Sequence, residues 1–158
     1  MPLSVIPTQI SEIVFGIREE KNPCSLCAKM RKGALYRRAH ELGLNKAAFG
    51  HHMDDCIETF MMNLMFAGRI GTFAPRAYLS RQDITLIRPF IFLREWDIRG
   101  AANRLSLPVA KNPCPQDANT KRQELKDFLK SLDHLYPQAS SRIATAISNT
   151  DTYELWEQ

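Results

Sequence analysis

The stretch Lys46-Ala47-Ala48-Phe49-Gly50-His51-His52-Met53-Asp54-Asp55 decides the fold of this 158-residue chain. Its first five residues are mostly apolar and end at a glycine, as in a short buried parallel strand. A helix is predicted to begin near Met53 or Asp54, because carboxylates favour the positive N-terminal end of the helix dipole. A strand followed at once by a loop and a helix is typical of an α/β protein.

Apolar spacing on both sides of this stretch predicts further elements. Residues 1–20 carry a weak helical or mixed pattern. Helices are predicted at 25–42, 53–68, 95–105, 119–132 and 138–149. Strands are predicted at 46–50 and 84–88, an extended piece at 108–110 and a loop at 68–81. Gly43 is expected to close the first long helix, because glycine adopts a left-handed conformation at low cost.

The alternation of strands and helices predicts an α/β fold with a parallel sheet. Two strands are fewer than the roughly five or six of an average sheet, so the sheet is expected to be incomplete. We expect residues 1–110 to contain the α/β part and residues 111–158 to form a helical C-terminal segment.

Composition sets broad limits on function. A content of 44% hydrophobic residues suffices for the core of one domain. A net charge of +4 and a pI near 9.0 are compatible with a polyanionic partner without establishing one. No early hydrophobic signal region is present, and no apolar run approaches the ~20 residues of a membrane span. A cytoplasmic protein is therefore expected.

The cysteines indicate a metal or redox site. Cys24 and Cys27 form a C-x-x-C pair, and Cys114 follows far downstream. Three thiolates would leave one of the usual four coordination positions open, which suits a reactive centre. The alternatives are a redox dithiol, half of a zinc site, or a chance feature of helix packing. Cys56 lies among apolar residues and is predicted to be buried.

Basic residues follow both cysteine segments and could surround the metal site with positive potential. A solvated helix face is the alternative interpretation of each segment. The basic residues in question are Lys29, Arg31, Lys32, Arg37, Arg38, Lys121, Arg122 and Lys126. Contacts with RNA phosphates are predicted for Arg69, Arg76, Arg81, Lys121 and Arg122, and stacking on an unpaired base for Tyr78 or Phe73.

The loop after the first strand is a second candidate site. Gly50 allows a close turn, and His51, Asp54 and Asp55 follow it directly. Ligands of parallel sheets bind at the carboxyl ends of strands, and carboxylates there could hold Mg²⁺ bound to nucleotide phosphates. In the alternative, Asp54 caps the helix and the histidines form hydrogen bonds inside the fold.

The pattern Gly-His-His-x-Asp-Asp-x-x-Glu-Thr, beginning at Gly50, resembles the second motif of the PP-loop ATP pyrophosphatase superfamily. More narrowly, the chain resembles the tRNA 2-thiocytidine synthetase family. That resemblance runs from about Ile6 to Asn149 and includes, in order, Cys24-Ser25-Leu26-Cys27, Met30 to Tyr36, Phe66-Ala67-Gly68-Arg69, Ile87-Arg88-Pro89, Arg94 to Ile98 and Asn112-Pro113-Cys114. It implies an adenine-nucleotide α-hydrolase-like sheet.

The resemblance also implies an activity and its cofactors. Such enzymes use ATP and Mg²⁺ to activate the C2 oxygen of a cytidine in the anticodon loop of tRNA, and then replace it with sulfur. The implied ligands of a [4Fe-4S] cluster are Cys24, Cys27 and Cys114. The implied nucleotide-side residues are Gly50, His51, Asp54 and Asp55, with Asp54 or Asp55 handling Mg²⁺ or phosphate. Arg31 is expected beside the activated oxygen or phosphate.

Two departures from the family pattern affect these expectations. Asp117 stands where many members carry a fourth cysteine, which leaves the target nucleotide open. The phosphate-binding sequence Ser-Gly-Gly-x-Asp-Ser is absent from the 158 residues. We therefore expect the chain to be a gene fragment, a truncated form or half of a split enzyme, inactive by itself.

A non-catalytic iron–sulfur or zinc module that binds tRNA or a protein partner is the alternative function. A thioredoxin-like reductase is less consistent with the sequence, because it gives Cys114 no role. The expected partners are tRNA, a sulfur donor protein or sulfide, and a second copy of the chain in a homodimer.

Overall fold

The computed structural model describes residues 3–18, 23–110, 112–114, 116, 121–149 and 151. Asp117 lies outside the described residues. The chain forms two compact units, which we name by their content. The sheet unit comprises Met1–Ala48 and Arg76–Ile87, and the helical unit comprises Phe49–Pro75 and Arg88–Gln158. The boundary predicted between residues 110 and 111 stays a prediction.

The sheet unit begins with helical segments. Helix α1 (Ile10–Glu12) continues into a π-helical segment, Ile13–Ile17, and helix α2 spans Pro23–Glu41. Ile10 and Val14 are buried, one helical turn apart, where the first segments pack against α2. The weak helical pattern near the N-terminus therefore reflects a real, short amphipathic element.

Helix α2 ends as its sequence predicts. Gly43 has φ of 67°, a left-handed conformation that favours glycine. The N–H of Gly43 donates to the carbonyl of His40 at 2.9 Å, and the N–H of Leu44 donates to the carbonyl of Ala39 at 2.8 Å. These two bonds form a Schellman motif, which satisfies carbonyls that the helix end would leave unpaired.

The sheet unit also contains a three-stranded mixed sheet of β1 (Lys46–Ala48), β2 (Arg76–Leu79) and β3 (Ile84–Ile87) in the order β1-β3-β2. Strands β1 and β3 are parallel, with Ala47 opposite Leu86, whereas β2 and β3 are antiparallel. Ala47 and Leu86 are both buried. The predicted α/β class is confirmed, but the expectation of a purely parallel sheet is wrong.

Strand β2 is the reason for this correction, because its segment was predicted to be a loop. Glycine, proline and arginine around it obscure the pattern, and pairing with β3 makes it a strand. Residues 80–83 connect the two strands as a turn. The N–H of Gln82 donates to the carbonyl of Leu79 at 3.0 Å, and Asp83 has φ of 45°. Aspartate tolerates this left-handed conformation better than most residues.

Four helices of the helical unit lie where the apolar spacing predicts them. They are α3 (Met53–Ala67), α4 (Glu95–Arg104), α5 (Lys121–Leu135) and α6 (Ala139–Ser148). Helix α5 continues three residues past its predicted end at Leu132. Gly68 closes α3 with φ of 56°, the same left-handed device that ends α2.

Helices α3, α5 and α6 pack together around one apolar cluster. Ile57 of α3 and Leu125 and Leu129 of α5 form its buried centre, and Ile143 and Ile147 of α6 pack against it. Burying a side chain of this size contributes about 1.5–3 kcal/mol. This cluster fixes the face of α3 that carries the polar residues described below. Within the described part of the chain, no helix has the length and apolar character of a membrane span.

Candidate functional site

The C-x-x-C pair lies at the start of α2. Cys24 is the second residue of the helix and is exposed, and Cys27, three residues later, is partly buried. Residues three apart on a helix share a face, so the two thiols lie on one side of the first turn. Arg31, one further turn along, is exposed.

Cys114 belongs to the helical unit and is partly buried. Its backbone N–H donates to Oδ1 of Asn112 at 3.2 Å, which fixes the local turn. Cys24 and Cys27 belong to the other unit, so the convergence of the three thiols stays a prediction. Inside either unit, the described residues contain no group of three or more His, Cys, Asp or Glu side chains that could hold a metal ion.

His51 lies in an aromatic cluster of the helical unit. Its ring lies edge-on to Phe49, with ring centres 5.6 Å apart, and is tilted against Phe73, with centres 5.0 Å apart. The guanidinium of Arg88 lies 4.6 Å from the ring centre of Phe73, within the range of a cation–π interaction. Gly50, just before this cluster, is exposed. The nucleotide-binding role of Gly50 and His51 stays a prediction.

His52 is the N-cap of α3. Its Nδ1 accepts a hydrogen bond from the N–H of Asp55 at 3.4 Å, and Oδ2 of Asp55 accepts one from the N–H of His52 at 3.1 Å. This reciprocal pair is a capping box with histidine in place of the usual serine or threonine. The alternative in which Asp54 caps this helix is wrong, because His52 is the N-cap.

Asp54 instead joins α3 to α4. Its Oδ2 accepts a hydrogen bond from the N–H of Glu95, the first residue of α4, at 2.6 Å. Its Oδ1 lies 2.9 Å from Nε and 2.8 Å from Nη2 of Arg94. A carboxylate held in this way by a planar guanidinium and a helix N-terminus is strongly oriented. Both oxygens of Asp54 therefore already have protein partners.

Asp55 and Glu58 share the cation Arg122 of α5. Nη1 of Arg122 lies 2.7 Å from Oε2 of Glu58 and 3.5 Å from Oδ1 of Asp55. Glu58 is almost fully buried, with 2% of its side chain exposed, and Nζ of Lys126 lies 3.7 Å from its other oxygen. Lys126 also pairs with Glu95 at 3.3 Å. These side chains form one ion network, which we call the α3–α5 network.

Burial and ion pairing act in opposite directions on the pKa values in the α3–α5 network. Burial raises the pKa of Glu58, and the hydrogen bond from Arg122 and the charge of Lys126 only partly offset this effect. Partial burial opposes the charge of Lys126, but Glu58 and Glu95 together outweigh it and raise the pKa of the lysine. Partial burial would also raise the pKa of Glu95, yet Arg99 and Lys126 together lower it.

Cys56 is buried, as predicted, with 3% of its surface exposed. Its Sγ lies 3.4 Å from Oγ1 of Thr72, and the same hydroxyl donates to the carbonyl of Cys56 at 3.0 Å. Burial raises the pKa of the Cys56 thiol, an effect that Thr72 and Arg88 only partly offset. Cys56 is therefore a packed neutral thiol, unlike the three accessible cysteines.

The residues predicted to contact RNA fall into two groups. Arg69, Arg76 and Arg81 are exposed and remain candidates. Arg122 instead pairs with buried Glu58, and the ring of Phe73 packs on His51 and Arg88 inside the helical unit. Lys121 also has a protein partner, because it pairs with Glu124 at the surface. The hydroxyl of exposed Tyr78 donates a hydrogen bond to Asp83 at 2.7 Å, and this bond raises the pKa of the tyrosine.

Sequence reasoning did not assign Glu58 or Arg94 to a role in a site, and it interpreted Lys126 as part of a basic segment beside Cys114. Glu58 has a signal in the sequence, because it is the glutamate of the motif that begins at Gly50. A charged residue directly after Ile57 in an otherwise apolar helical stretch indicates a buried, paired carboxylate. Arg94 and Lys126 carry no such signal, since their partners are distant in the chain.

A solved structure shares this fold. The chain resembles the U34-tRNA thiolase NcsA from Methanococcus maripaludis, determined with its [4Fe-4S] cluster, with a TM-score of 0.65 and 24% sequence identity. The match covers 87% of this chain and 47% of that chain. At this level of identity the likeness shows the fold, an α/β architecture found in a tRNA thiolase.

The sequence is similar to those of tRNA sulfurtransferases. The chain is 36% identical over 134 residues to the tRNA-cytidine(32) 2-sulfurtransferase of Dechloromonas aromatica (strain RCB), covering 84% of this chain and 47% of the relative. It is 38% identical to the enzyme of the same name from Shewanella sp. (strain ANA-3), covering 85% and 44%. The chain thus spans about half the length of the curated relatives it matches. No family model matches it.

Proposed function

We propose that this chain takes part in the 2-thiolation of a cytidine in tRNA, with a [4Fe-4S] cluster held by Cys24, Cys27 and Cys114. The observation that carries the proposal is the similarity to two tRNA-cytidine(32) 2-sulfurtransferases over 84–85% of the chain. The fold shared with a thiolase that contains such a cluster supports it. A tRNA substrate also agrees with the cytoplasmic location expected from the sequence.

The donor chemistry of the cysteines fits such a cluster. Iron–sulfur clusters are held by thiolates, and the three proposed ligands are the accessible cysteines, whereas Cys56 is buried. When bound by three thiolates, the cluster would supply one iron with an open coordination position for sulfide. The exposed guanidinium of Arg31 is placed on the helix of the C-x-x-C pair, where positive charge would stabilise an activated, anionic substrate.

The reaction we propose for the complete enzyme has two steps. The C2 oxygen of cytidine attacks the α-phosphate of ATP·Mg²⁺ and pyrophosphate leaves. Sulfide then forms the C–S bond, and the C–O bond breaks with release of AMP. The sequence Ser-Gly-Gly-x-Asp-Ser, whose backbone amides would cradle pyrophosphate, is absent from these residues. The chain alone is therefore proposed to be inactive, and the sulfur donor and homodimer stay predictions.

Anaerobic reconstitution with iron and sulfide tests the ligand set. We expect the wild-type chain to develop broad visible absorption and about four irons per chain. The variants Cys24→Ser, Cys27→Ser and Cys114→Ser should each lose most of this iron. Cys56→Ala is the matched control, because it removes a thiol that is buried, and it should keep the cluster.

Two results would overturn the proposal. One is stoichiometric zinc without visible absorption, and the other is equal iron loss in the Cys56 control and the three ligand variants. A thiolation assay with tRNA, ATP and sulfide tests whether the chain alone is inactive, as proposed. Robust turnover by the 158-residue chain alone would contradict its inactivity.

The second candidate is a non-catalytic metal module, and the partners of Asp54 favour it. Both oxygens of this carboxylate are held by Arg94 and the N-terminus of α4. If Asp54 is structural, Asp54→Ala should lower the free energy of unfolding by about 1–3 kcal/mol with or without Mg²⁺. The surface variant Asp127→Ala is the control and should change it by less than about 0.5 kcal/mol. A loss seen only with Mg²⁺ present would instead support the enzyme.

A further inference from the structure

A groove of about 810 Å³ lies along α2, entirely within the sheet unit. Lys29, Gly33 and Arg37 of α2 line one side of it, at intervals of four residues along one face of the helix. Residues 7–10, Ile13 and the turn residues Arg81 and Gln82 also line it. The groove thus brings together a helix face and a turn that are distant in the sequence.

The charged side chains of this groove are all basic. Lys29, Arg37 and Arg81 are exposed, and no carboxylate lines the groove. Among the described residues these three cations form no ion pair. In the helical unit, by contrast, Arg94 and Arg122 are held by internal carboxylates. The groove therefore offers uncompensated positive charge, which attracts a polyanion.

Gly33 provides a second, independent observation. It lies in the middle of the 19-residue helix α2, where glycine costs roughly 0.5–1 kcal/mol relative to alanine. A Cβ added at Gly33 would meet nothing within 4 Å, so packing inside the protein does not require glycine there. Because Gly33 lines the groove, its absent side chain lets a ligand approach the helix backbone closely.

The floor of the groove is apolar and includes Ile10, Met30 and Ala34. A basic rim over an apolar floor suits a single-stranded nucleic acid, whose phosphates contact cations while an unstacked base covers apolar surface. A free anion such as inorganic phosphate would use only the rim.

We propose that this groove binds a single-stranded segment of the tRNA substrate, with phosphates on Lys29, Arg37 and Arg81 and the backbone passing over Gly33. The proposal rests on the proposed function, because it takes tRNA as the substrate. It assigns RNA binding to two residues of α2 and one residue of the β2–β3 turn. It does not assign RNA binding to Arg122, which is ion-paired.

The test measures binding of a short RNA stem–loop with a tRNA anticodon loop to the 158-residue chain by fluorescence anisotropy. The triple variant Lys29→Ala, Arg37→Ala, Arg81→Ala should weaken binding at least about tenfold at about 0.1 M salt. The slope of log K against log salt should fall by about 2, as expected for three lost phosphate contacts.

The control variant Lys46→Ala, Arg104→Ala, Arg142→Ala removes the same net charge at positions outside the groove. It should change the affinity by less than about threefold, the residual effect of net charge alone. Gly33→Leu keeps the net charge and favours helix, yet it should weaken RNA binding, because its side chain would block the close approach of RNA to the helix backbone. Circular dichroism verifies that each variant is folded.

Equal losses in the groove and control variants would overturn the proposal, as would unchanged binding by the groove variant. Tight ATP binding that competes with RNA and is lost in the groove variant would assign the groove to a nucleotide and also overturn it. Cluster reconstitution in the same variants separates the two proposals. Groove-dependent RNA binding without any cluster would refute the thiolation proposal alone.

Discussion

Glu58 of α3 and Arg122 of α5 form an ion pair at 2.7 Å in which the carboxylate is 2% exposed and the guanidinium 41% exposed. The pair links two helices that also share the cluster around Ile57 and Leu125. A buried carboxylate that loses its cation keeps the cost of burial without the compensating attraction. The pair therefore contributes, together with the apolar cluster, to holding α5 against α3.

Arg122→Met should destabilise the chain by leaving Glu58 with Lys126 alone. Breaking a fully buried pair costs about 3–5 kcal/mol, and we expect about 2 kcal/mol here because Arg122 is partly exposed. The measurement is the free energy of unfolding in urea. Lys121→Met is the control, since it removes a surface pair with Glu124 on the same helix and should cost less than about 1 kcal/mol.

The double variant Glu58→Gln, Arg122→Met completes a mutant cycle. The coupling should be favourable and larger than about 0.5 kcal/mol if the two residues interact directly. Additive effects of the two single changes would contradict the pair.

Glu58 also gives the stability a definite pH dependence. Burial raises its carboxyl pKa above the ordinary value of 4.5, so the native state binds this proton more readily than the unfolded chain. The resulting stabilisation is complete below the ordinary pKa and is lost as pH rises through the raised pKa. The stability of wild type relative to Glu58→Gln should therefore fall as the pH rises above about 4.5.

Urea unfolding of both proteins at a series of pH values measures this difference. A relative stability that rises with pH would mean that Arg122 and Lys126 outweigh burial and lower the pKa of Glu58.

Two glycine-to-alanine changes should have opposite effects on the free energy of unfolding. Gly33→Ala should raise the free energy of unfolding by about 0.5–1 kcal/mol, because the residue is inside α2 and the added methyl meets no atom. Gly68→Ala should lower it by about 1 kcal/mol, because φ is 56° at the end of α3. Thermal or urea unfolding distinguishes them, and a destabilising Gly33→Ala would contradict the open groove.

Thiol labelling should separate the four cysteines into two classes. Cys56 should react slowest, because it is buried and burial raises the pKa of its thiol, which reduces the reactive thiolate. Cys24, Cys27 and Cys114 should react in the fast phase of an assay with a chromogenic disulfide at neutral pH. Urea-unfolded chain is the control and should label in one phase. A Cys56 that labels as fast as Cys24 would contradict its burial.

Local pattern predicted most of the helices and two of the strands. Helix α3 is an example, because its apolar spacing, its N-terminal carboxylates and the closing Gly68 all act within one segment. Cys56 was predicted to be buried for the same reason. Strand β2 was missed because Arg76-Ala77-Tyr78-Leu79 is stabilised as a strand by pairing with β3, and local sequence carries little of that information.

The sequence predicts which residues belong to the candidate site better than it predicts which partners they contact. Asp54 and Asp55 were singled out by the motif, but their partners Arg94 and Arg122 lie about 40 and 67 residues away in the chain. Arg122 was interpreted as an RNA contact because a sequence shows charge without showing which carboxylate is nearby. The groove at Gly33 could not be predicted from the sequence either, because it forms only where the turn at Arg81 approaches α2 in the fold.

The order in which the strands pair has a consequence for synthesis of the protein. Strand β1 pairs with β3 and with no other described strand, and all of α3 lies between them in the sequence. While the ribosome is still making α3, the strand β3 that pairs with Lys46–Ala48 has not yet been synthesised. Until the hairpin of β2 and β3 emerges, the edge of β1 that pairs with β3 stays exposed, and during that interval it is open to misassociation with other chains.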